Sequence, residues 1–269
     1  MFDREAYRLG FGTYSLTGED GIDALATAID SGYRHLDTAR LYGNETEVGT
    51  AIETAAVDRD DLFVATKIAH FEEPEKTPEY VRNGVEESLS RLGVDTIDLL
   101  YHHWPRGDDE IETVLPVFNE LVEAGHVEHV GVSNYTPSDL ELADDLLEPS
   151  LYAAQAEMHP FLPQDDLRAA VRDRDAYFVA YSPIAQGDVF DAPAISAVAD
   201  KHDVNEAVVS LAWLLSKDGV VPIPRSETSD HIRSNRDALD VELDDDDIER
   251  IDGIDRRLRC EDPSWMEWE

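Results

Sequence analysis

The segment GYRHLDTARLYGNETEVG, residues 32–49, places a carboxylate, Asp37, close in sequence to a phenol, Tyr42. A lysine, Lys67, directly follows the apolar run FVAT, where a buried ammonium group needs an anionic partner. Asp37 is the candidate partner, and a fixed positive charge beside Tyr42 would favour its phenolate form. These residue types predict general acid catalysis, in which Asp37 fixes Lys67, Lys67 tunes Tyr42, and the Tyr42 hydroxyl donates a proton near neutral pH.

Short apolar runs alternate with longer amphipathic runs, a pattern typical of repeated strand–helix units. We predict strands at residues 10–13, 33–37, 62–67, 96–103, 129–133, 152–157, 177–181 and 220–223. The clearest helices are predicted at residues 21–31, 45–55, 78–92, 112–124, 137–147 and 205–216, and the acidic run 244–247 is interpreted as the solvated start of another. Eight parallel strands, each followed by a helix, predict the α/β class and a closed (β/α)8 TIM barrel. No linker or repeat interrupts the chain, so we expect a single domain over residues 1–269.

Barrels of this kind carry their chemistry at the carboxyl ends of the strands. Of the two adjacent histidines in LLYHHWP, side-chain alternation along the strand directs His103 into the barrel and His102 toward the helices. Polar residues gather at the predicted strand ends: Asp37, Lys67, His103, Ser133, Asn134, Gln155, Tyr181 and Arg225.

Segments along nearly the whole chain resemble the motifs of the aldo-keto reductase family, in the family's order. They are GFGTY (10–14), the segment 32–49, ATK (65–67), LLYHHWP (99–105), GVSNY (131–135), AQAEMHP (154–160), AYSPIAQG (180–187) and IPRS (223–226). The resemblance implies a catalytic tetrad of Asp37, Tyr42, Lys67 and His103. It implies that hydride passes from C4 of a reduced nicotinamide to an aldehyde or ketone carbon, while Tyr42 protonates the oxygen and His103 orients the carbonyl group.

The same resemblance implies a site for NADP(H), with NAD(H) also usable. The absence of GxGxxG argues against a Rossmann site but not against dinucleotide binding on a barrel. Arg225 and Ser226 match residues that grip the 2′-phosphate, and His231 stands where the family has a second phosphate-clamping arginine. Ser133, Asn134 and Gln155 match residues that bind the carboxamide. Tyr181 matches the ring that stacks on the nicotinamide, and Asn235 matches a residue near the adenine. Thr13 matches a further cofactor-binding position.

Three aromatic residues, Tyr14, Trp104 and Trp265, resemble the walls of a substrate pocket for a small carbonyl compound. Aromatic residues near a barrel mouth also serve as plain packing, so both interpretations stand. His159, which precedes Pro160, is interpreted as structural, and we expect no metal site.

Two other functional classes remain open. A metal-dependent barrel hydrolase would use the pair His102 and His103, but no HxH spacing follows the first strand and the carboxylates do not cluster with histidines. A non-catalytic, NADP(H)-binding regulatory subunit on the same scaffold is the second alternative. Metal content tests the first class, and NADPH oxidation with an activated aromatic aldehyde tests the second.

The composition is strongly acidic, with 60 acidic and 22 basic residues and a formal net charge of -38. Only Lys67, Lys76, Lys201 and Lys217 are lysines. Such a charge balance is typical of proteins that work in concentrated salt, where screening reduces self-repulsion. We interpret the charge as halophilic adaptation, and we expect no nucleic-acid partner because the field repels phosphate backbones.

Cys260 is the only cysteine, so an intramolecular disulfide or a cysteine-rich metal site is excluded. The first ten residues contain no apolar signal-peptide core, and no later stretch approaches the roughly 20 apolar residues of a membrane span. The sequence therefore predicts a cytoplasmic protein without membrane contact, and we expect a monomer.

We predict that the unfolding temperature rises steeply with added KCl and keeps rising above about 1 M, where screening is nearly complete, because carboxylates also bind cations. Thermal unfolding followed by circular dichroism across a KCl series measures this effect. A melting temperature that does not depend on KCl would show that the halophilic interpretation is wrong.

Overall fold

The computed structural model describes residues 7–73, 76–266 and 268. Strands lie within a few residues of every predicted position, and each strand pairs in parallel with the next along the chain. Their bounds are β1 Phe11–Gly12, β2 His35–Asp37, β3 Phe63–Ile68, β4 Ile97–His102, β5 Val127–Ser133, β6 Ala153–Glu157, β7 Tyr177–Tyr181 and β8 Val220–Pro222.

The sheet closes on itself through its first and last strands. The amide of Gly10 donates a hydrogen bond to the carbonyl of Pro222 at 3.0 Å, and the amide of Gly12 donates to Pro224 at 3.0 Å. Glycine is required here, because a Cβ on Gly12 would lie 2.9 Å from the carbonyl oxygen of Ile223. With this closure the predicted (β/α)8 barrel is confirmed.

Helices surround the sheet and connect successive strands. Their bounds are α1 Gly18–Asp30, α2 Glu45–Thr54, α3 Pro78–Leu92, α4 Asp108–Glu123, α5 Pro137–Leu146, α6 Asp165–Arg172, α7 Pro193–His202, α8 Glu206–Leu215, α9 Ser229–Asn235 and α10 Asp245–Asp252. Two of them, α7 and α8, lie between β7 and β8.

Side-chain caps fix where several helices begin. Thr77, Thr136 and Asn205 each accept a hydrogen bond from a backbone amide in the first turn of α3, α5 and α8. Asp244 caps α10 in the same way, which confirms the predicted helix start in the acidic run. Such bonds satisfy amides that have no partner inside the helix.

Two helices begin earlier than predicted. Helix α4 starts at Asp108 and not at residue 112, and α1 starts at Gly18 and not at residue 21. The added first turns carry Asp108, Asp109 and Glu110 in α4, and Glu19 and Asp20 in α1. Their carboxylates lie at the positive end of the helix dipole, so these polar residues extend each helix beyond its apolar pattern.

The apolar core forms two layers. The larger layer lies between the strands and the surrounding helices, with the side chains of α8 almost all buried. The smaller layer fills the barrel interior and consists of Tyr7, Phe63, Ala65, Leu99, Tyr101, Ala153, Val179, Val221 and Ile223. This packed interior supports the polar groups that stand above it at the carboxyl ends of the strands.

Within the described part of the chain, no helix combines the length and the apolar character that crossing a membrane requires.

Candidate active site

The barrel gathers the predicted tetrad at the carboxyl ends of its strands. Asp37 is the last residue of β2, Lys67 lies near the end of β3, and His103 follows β4. Tyr42 ends a short 3-10 helix, Arg40–Tyr42, in the loop after β2. Each of these four side chains lies close to at least one other, through the pairs Asp37–Lys67, Lys67–Tyr42 and Tyr42–His103.

Lys67 and Asp37 form a fully buried ion pair. The Lys67 ammonium donates to Oδ1 of Asp37 and to the carbonyl of Thr38, the latter at 2.8 Å. The second carboxylate oxygen, Oδ2 of Asp37, accepts a hydrogen bond from Nε2 of Gln155 at 2.8 Å. Burial disfavours the charged form of Lys67, but Asp37 and Tyr42 outweigh it and raise the Lys67 pKa. The lysine therefore stays charged.

Tyr42 lies beside this ammonium group. Nζ of Lys67 is 5.2 Å from the centre of the Tyr42 ring. Burial raises the pKa of Tyr42, while Lys67 acts in the opposite direction. The ammonium thus has the predicted effect, but the expected net lowering of the Tyr42 pKa is wrong, because desolvation of the phenolate is the larger contribution. The Tyr42 phenol is therefore protonated at neutral pH.

His103 is held neutral at the same site. Its ring meets the Tyr42 ring edge to face, with 5.8 Å between the ring centres. Burial lowers the pKa of His103 well below its usual value, and the positive charge of Lys67 lowers it further. Its Nδ1 is buried and has no hydrogen-bond partner in the described part of the chain. The adjacent His102 faces the helix layer, as predicted, where its Nδ1 lies 2.8 Å from the hydroxyl oxygen of Tyr135.

The residues predicted to hold the nicotinamide lie on β5 to β7. Asn134 has a left-handed backbone, with φ of 60°, and its Nδ2 donates to the carbonyl of His103 and to Oγ of Ser133, both at 3.1 Å. The Tyr181 hydroxyl donates to Oδ1 of Asn134 at 2.8 Å. Asn134 and Gln155 therefore both bind other protein groups, and these bonds fix their positions.

An unsatisfied polar atom at the same end of the barrel supports a place for a polar ligand. The hydroxyl oxygen of Thr13, which directly follows β1, is buried and has no partner within the described residues. Ser133 and Gln155 are also buried at this end of the barrel. A buried hydroxyl group without a partner is unfavourable unless a ligand supplies one. The donors and acceptors present therefore fit the carboxamide of a nicotinamide ring.

The loop after β8 carries the predicted phosphate-binding residues. Arg225 donates through Nε to the carbonyl of Tyr14 at 3.0 Å and forms an ion pair with Glu227. Ser226 is buried and accepts a hydrogen bond from the Thr228 amide at 3.0 Å. On helix α9, His231 is exposed whereas Asn235, at the end of the helix, is buried.

An aromatic cluster surrounds the mouth of the site. Trp104 is buried beside His103, and its ring lies near that of Trp265, with 6.3 Å between the centres. Tyr14 is exposed and meets Tyr42 edge to face at 5.1 Å. All three predicted wall residues therefore lie near the tetrad. The structure adds aromatic residues that sequence reasoning missed: His70, Phe71 and Trp268.

One group in the described part of the chain has metal-ligating side chains close together: Glu157, His159 and Cys260. Hydrogen bonds already occupy it. The Phe161 amide donates to Nδ1 of His159 at 3.2 Å, which leaves the ring hydrogen on Nε2, 2.8 Å from Oε1 of Glu157. A metal ion on Nε2 would displace that hydrogen and break the bond. This pattern supports the structural interpretation of His159.

The fold is a TIM barrel with a cluster of titratable side chains at the carboxyl ends of its strands, and comparison with known proteins identifies the family. A sequence model of the aldo/keto reductase family matches residues 8–256, so the chain belongs to that family. Aldo/keto reductases use nicotinamide cofactors. Curated relatives share about a third of their residues with this chain over most of both lengths.

A 2,5-diketo-D-gluconic acid reductase B of Corynebacterium sp. (strain SHS752001) is 37% identical over 263 residues, 96% of this chain and 93% of that protein. A glyoxal reductase of Bacillus subtilis (strain 168) is 34% identical, covering 93% of this chain and 89% of that protein. Among solved structures, the aldo-keto reductase MGS-M4 from a Medee basin deep-sea metagenome library superposes with a TM-score of 0.87 at 30% identity, over 96% of both chains. An aldo/keto reductase from Brucella melitensis gives a TM-score of 0.85 at 33% identity, over 91% of this chain and 92% of that one.

The influence of Lys67 on its neighbours gives a prediction for the variant Lys67→Met. Because the ammonium lowers the His103 pKa, its removal should raise the pH at which His103 takes up a proton. Ring NMR signals of His103, assigned with His103→Gln, follow this titration.

His129 is the internal control, because it lies at the opposite end of the barrel and its charged neighbours include Glu128 and Asp98 but not Lys67. Its titration should be the same in both proteins. Equal titration of His103 in both proteins would mean that the charge of Lys67 does not act on this ring.

Proposed function

We propose that this protein reduces an aldehyde or ketone to an alcohol, reversibly, with NAD(P)H as the reductant. The observation that carries the proposal is the buried contact of Lys67 with Asp37 and with the Tyr42 phenol, directly beside a neutral His103. A bound reduced nicotinamide supplies a hydride to the carbonyl carbon. The chain must then supply a proton and hold the carbonyl oxygen.

Tyr42 is the proton donor in this proposal. The raised pKa of Tyr42 keeps the phenol protonated until a carbonyl oxygen gains negative charge and becomes the stronger base. Once the proton has left, the Lys67 ammonium lies beside the phenolate and stabilises it. Asp37 acts on Lys67 and not on the substrate, because its carboxylate holds the ammonium in place.

His103 orients the substrate in this proposal. Because its pKa is far below the usual value, the imidazole is neutral at neutral pH and does not compete with Tyr42 as the proton source. A neutral imidazole donates one hydrogen bond, which suits the carbonyl oxygen of a substrate. The aromatic residues Tyr14, Trp104 and Trp265 contact the rest of that substrate. We further propose that the protein acts in the cytoplasm as a single-domain monomer.

We propose a modest preference for NADP(H). Arg225 is a permanent cation that can pair with a 2′-phosphate, and such charge-assisted contacts contribute about 1.5 to 3 kcal/mol. Glu227 already pairs with Arg225, however, and competes with the phosphate. His231 adds less than an arginine would. NAD(H) is therefore expected to be usable.

The variant Tyr42→Phe tests the catalytic assignment. Turnover of para-nitrobenzaldehyde should fall by about 10²–10⁴-fold, because the proton donor is lost, while the dissociation constant for NADPH stays nearly unchanged. Tyr177→Phe is the matched control, because this tyrosine begins β7 at the opposite end of the barrel. Retention of most activity in Tyr42→Phe would contradict the mechanism, and absence of activity in the wild-type protein would favour a regulatory subunit.

The variant His231→Arg tests the cofactor assignment. It should tighten NADPH binding selectively and leave NADH binding nearly unchanged, because the added guanidinium pairs only with the 2′-phosphate. Dissociation constants of both cofactors are measured by fluorescence for both proteins at one KCl concentration. Glu249→Gln, on the exposed face of α10, makes the same change in net charge and should not alter the ratio. An unchanged ratio in His231→Arg would show that residue 231 does not face the phosphate.

A further inference from the structure

The segment that follows α10 is held across the carboxyl end of the barrel. The Leu258 amide donates to the carbonyl of Phe161 at 3.2 Å. The amides of Cys260 and Glu261 donate to the two carboxylate oxygens of Glu157 at 2.6 and 2.8 Å. Glu157 is fully buried at the end of β6, where it pairs in register with Tyr181. Backbone bonds on both sides therefore fix the position of the residue between them, Arg259.

The side chain of Arg259 enters the aromatic mouth of the site. Its guanidinium carbon lies 3.8 Å from the centre of the Trp268 ring. The Trp268 ring is in turn 6.1 Å from that of Trp104, the neighbour of His103. Tyr181 lies close enough that its phenolate would raise the pKa of Arg259. Arg259 thus lies against the aromatic cluster at the mouth of the site.

The guanidinium of Arg259 lacks an anionic partner in the described part of the chain. Its Nη1 is buried without a hydrogen bond, and no carboxylate lies within ion-pair distance of it there. The acidic groups that act on it through space, Glu157 and Asp262, are bound elsewhere. Glu157 binds His159 and the two backbone amides, and Asp262 accepts from Nε1 of Trp268 at 2.9 Å.

Two other arginines that lack an ion pair within the described residues find backbone acceptors instead. Arg34 donates to the carbonyls of Ile29 and Tyr33, and Arg257 donates to those of Ile254 and Arg256, whereas Nη1 of Arg259 is buried without an acceptor. Burial lowers the pKa of Arg259, which reflects an unfavourable loss of hydration. A planar guanidinium with free donors matches the two oxygens of a carboxylate. A ligand that carries a carboxylate would accept hydrogen bonds from the donors of Arg259 that otherwise face an apolar wall.

We propose that Arg259 binds the carboxylate of an anionic carbonyl substrate, so that the preferred substrates are aldehydes or ketones that carry a carboxylate group. The proposal rests on the carbonyl reduction proposed above. The aromatic side chains of Trp104 and Trp268 contact the apolar part of the substrate, and Arg259 holds its charged end. A second cation, Arg106, lies 5.4 Å from the ring of Trp265 and adds positive charge at the rim.

The test compares a carboxylated substrate with a neutral one of nearly the same shape: para-carboxybenzaldehyde and methyl para-formylbenzoate. In Arg259→Met, which keeps an apolar side chain against Trp268, kcat/KM for the carboxylate should fall about tenfold or more, mainly through KM. The ester should change by less than about twofold. Arg259→Lys keeps the charge and should retain part of the selectivity.

Arg257→Met is the matched control. Arg257 belongs to the same segment, is exposed, and binds the backbone carbonyls of Ile254 and Arg256. The substitution Arg257→Met removes the same charge and should leave the selectivity between the two substrates unchanged. All proteins are assayed at one KCl concentration at which circular dichroism shows them folded.

A binding measurement supplies a readout other than turnover. Quenching of tryptophan fluorescence by para-(hydroxymethyl)benzoate should be saturable in the wild-type protein and weakened in Arg259→Met, and benzyl alcohol should bind equally to both. Equal losses for the acid and the ester would assign Arg259 a packing role and overturn the proposal. So would unchanged kinetics in Arg259→Met, or the same loss in Arg257→Met. A wild-type protein that reduces neither aldehyde would instead contradict the proposed carbonyl reduction.

Discussion

The ion pair of Lys67 and Asp37 is the interaction on which the site depends. Both side chains are almost completely buried, and removal of one partner would leave an uncompensated charge, which typically destabilises a fold by about 3–5 kcal/mol. The pair also spans the barrel, because Gln155 on β6 binds the other oxygen of Asp37. The barrel must therefore close around the pair before the charges are satisfied, and the stability of the closed sheet maintains the arrangement of the site.

The ammonium of Lys67 acts on two neighbours of different chemical type. It lowers the pKa of Tyr42, although burial prevails there, and it lowers the pKa of His103 in the same direction as burial. The outcome is a protonated phenol beside a neutral imidazole at the same pH. Residue type already places the pKa of a phenol above that of an imidazole, and burial together with the Lys67 charge moves the two pKa values further apart.

The strands and the tetrad could be predicted from the sequence, because strand ends in a parallel barrel meet at one edge and side chains alternate along each strand. The choice of His103 over His102 rests on the resemblance to the family, which places the catalytic histidine directly before Trp-Pro, and side-chain alternation agrees with it. The starts of α1 and α4 could not be found from apolar periodicity, since their first turns are acidic. The acidic charge of these first turns was the signal available there.

Other parts of the site depend on contacts between distant residues. Trp268, Phe71 and Arg259 belong to irregular segments without periodicity. The backbone of residues 260 and 261 is held at the barrel mouth by hydrogen bonds that the distant carboxylate of Glu157 accepts. The net direction of the Tyr42 pKa was missed for a related reason. The sequence identified the nearby ammonium but gave no measure of how far the phenol is removed from water.

The seam between β1 and β8 has a consequence for folding. The hydrogen bond from Gly10 to Pro222 closes a loop of roughly 210 residues. Closing a loop of that length costs roughly 5 kcal/mol in chain entropy. Until it forms, both strands are open edges that could pair with another molecule. The Ile223 amide points away from the seam and donates to the carbonyl of Ala180 on β7. Because backbone groups alternate in direction along a strand, the residues whose amides would face the seam are Pro222 and Pro224. Proline has no amide hydrogen to donate. An open β8 edge therefore offers acceptors without donors at these positions, and a foreign strand cannot build a reciprocal ladder on it before β1 arrives.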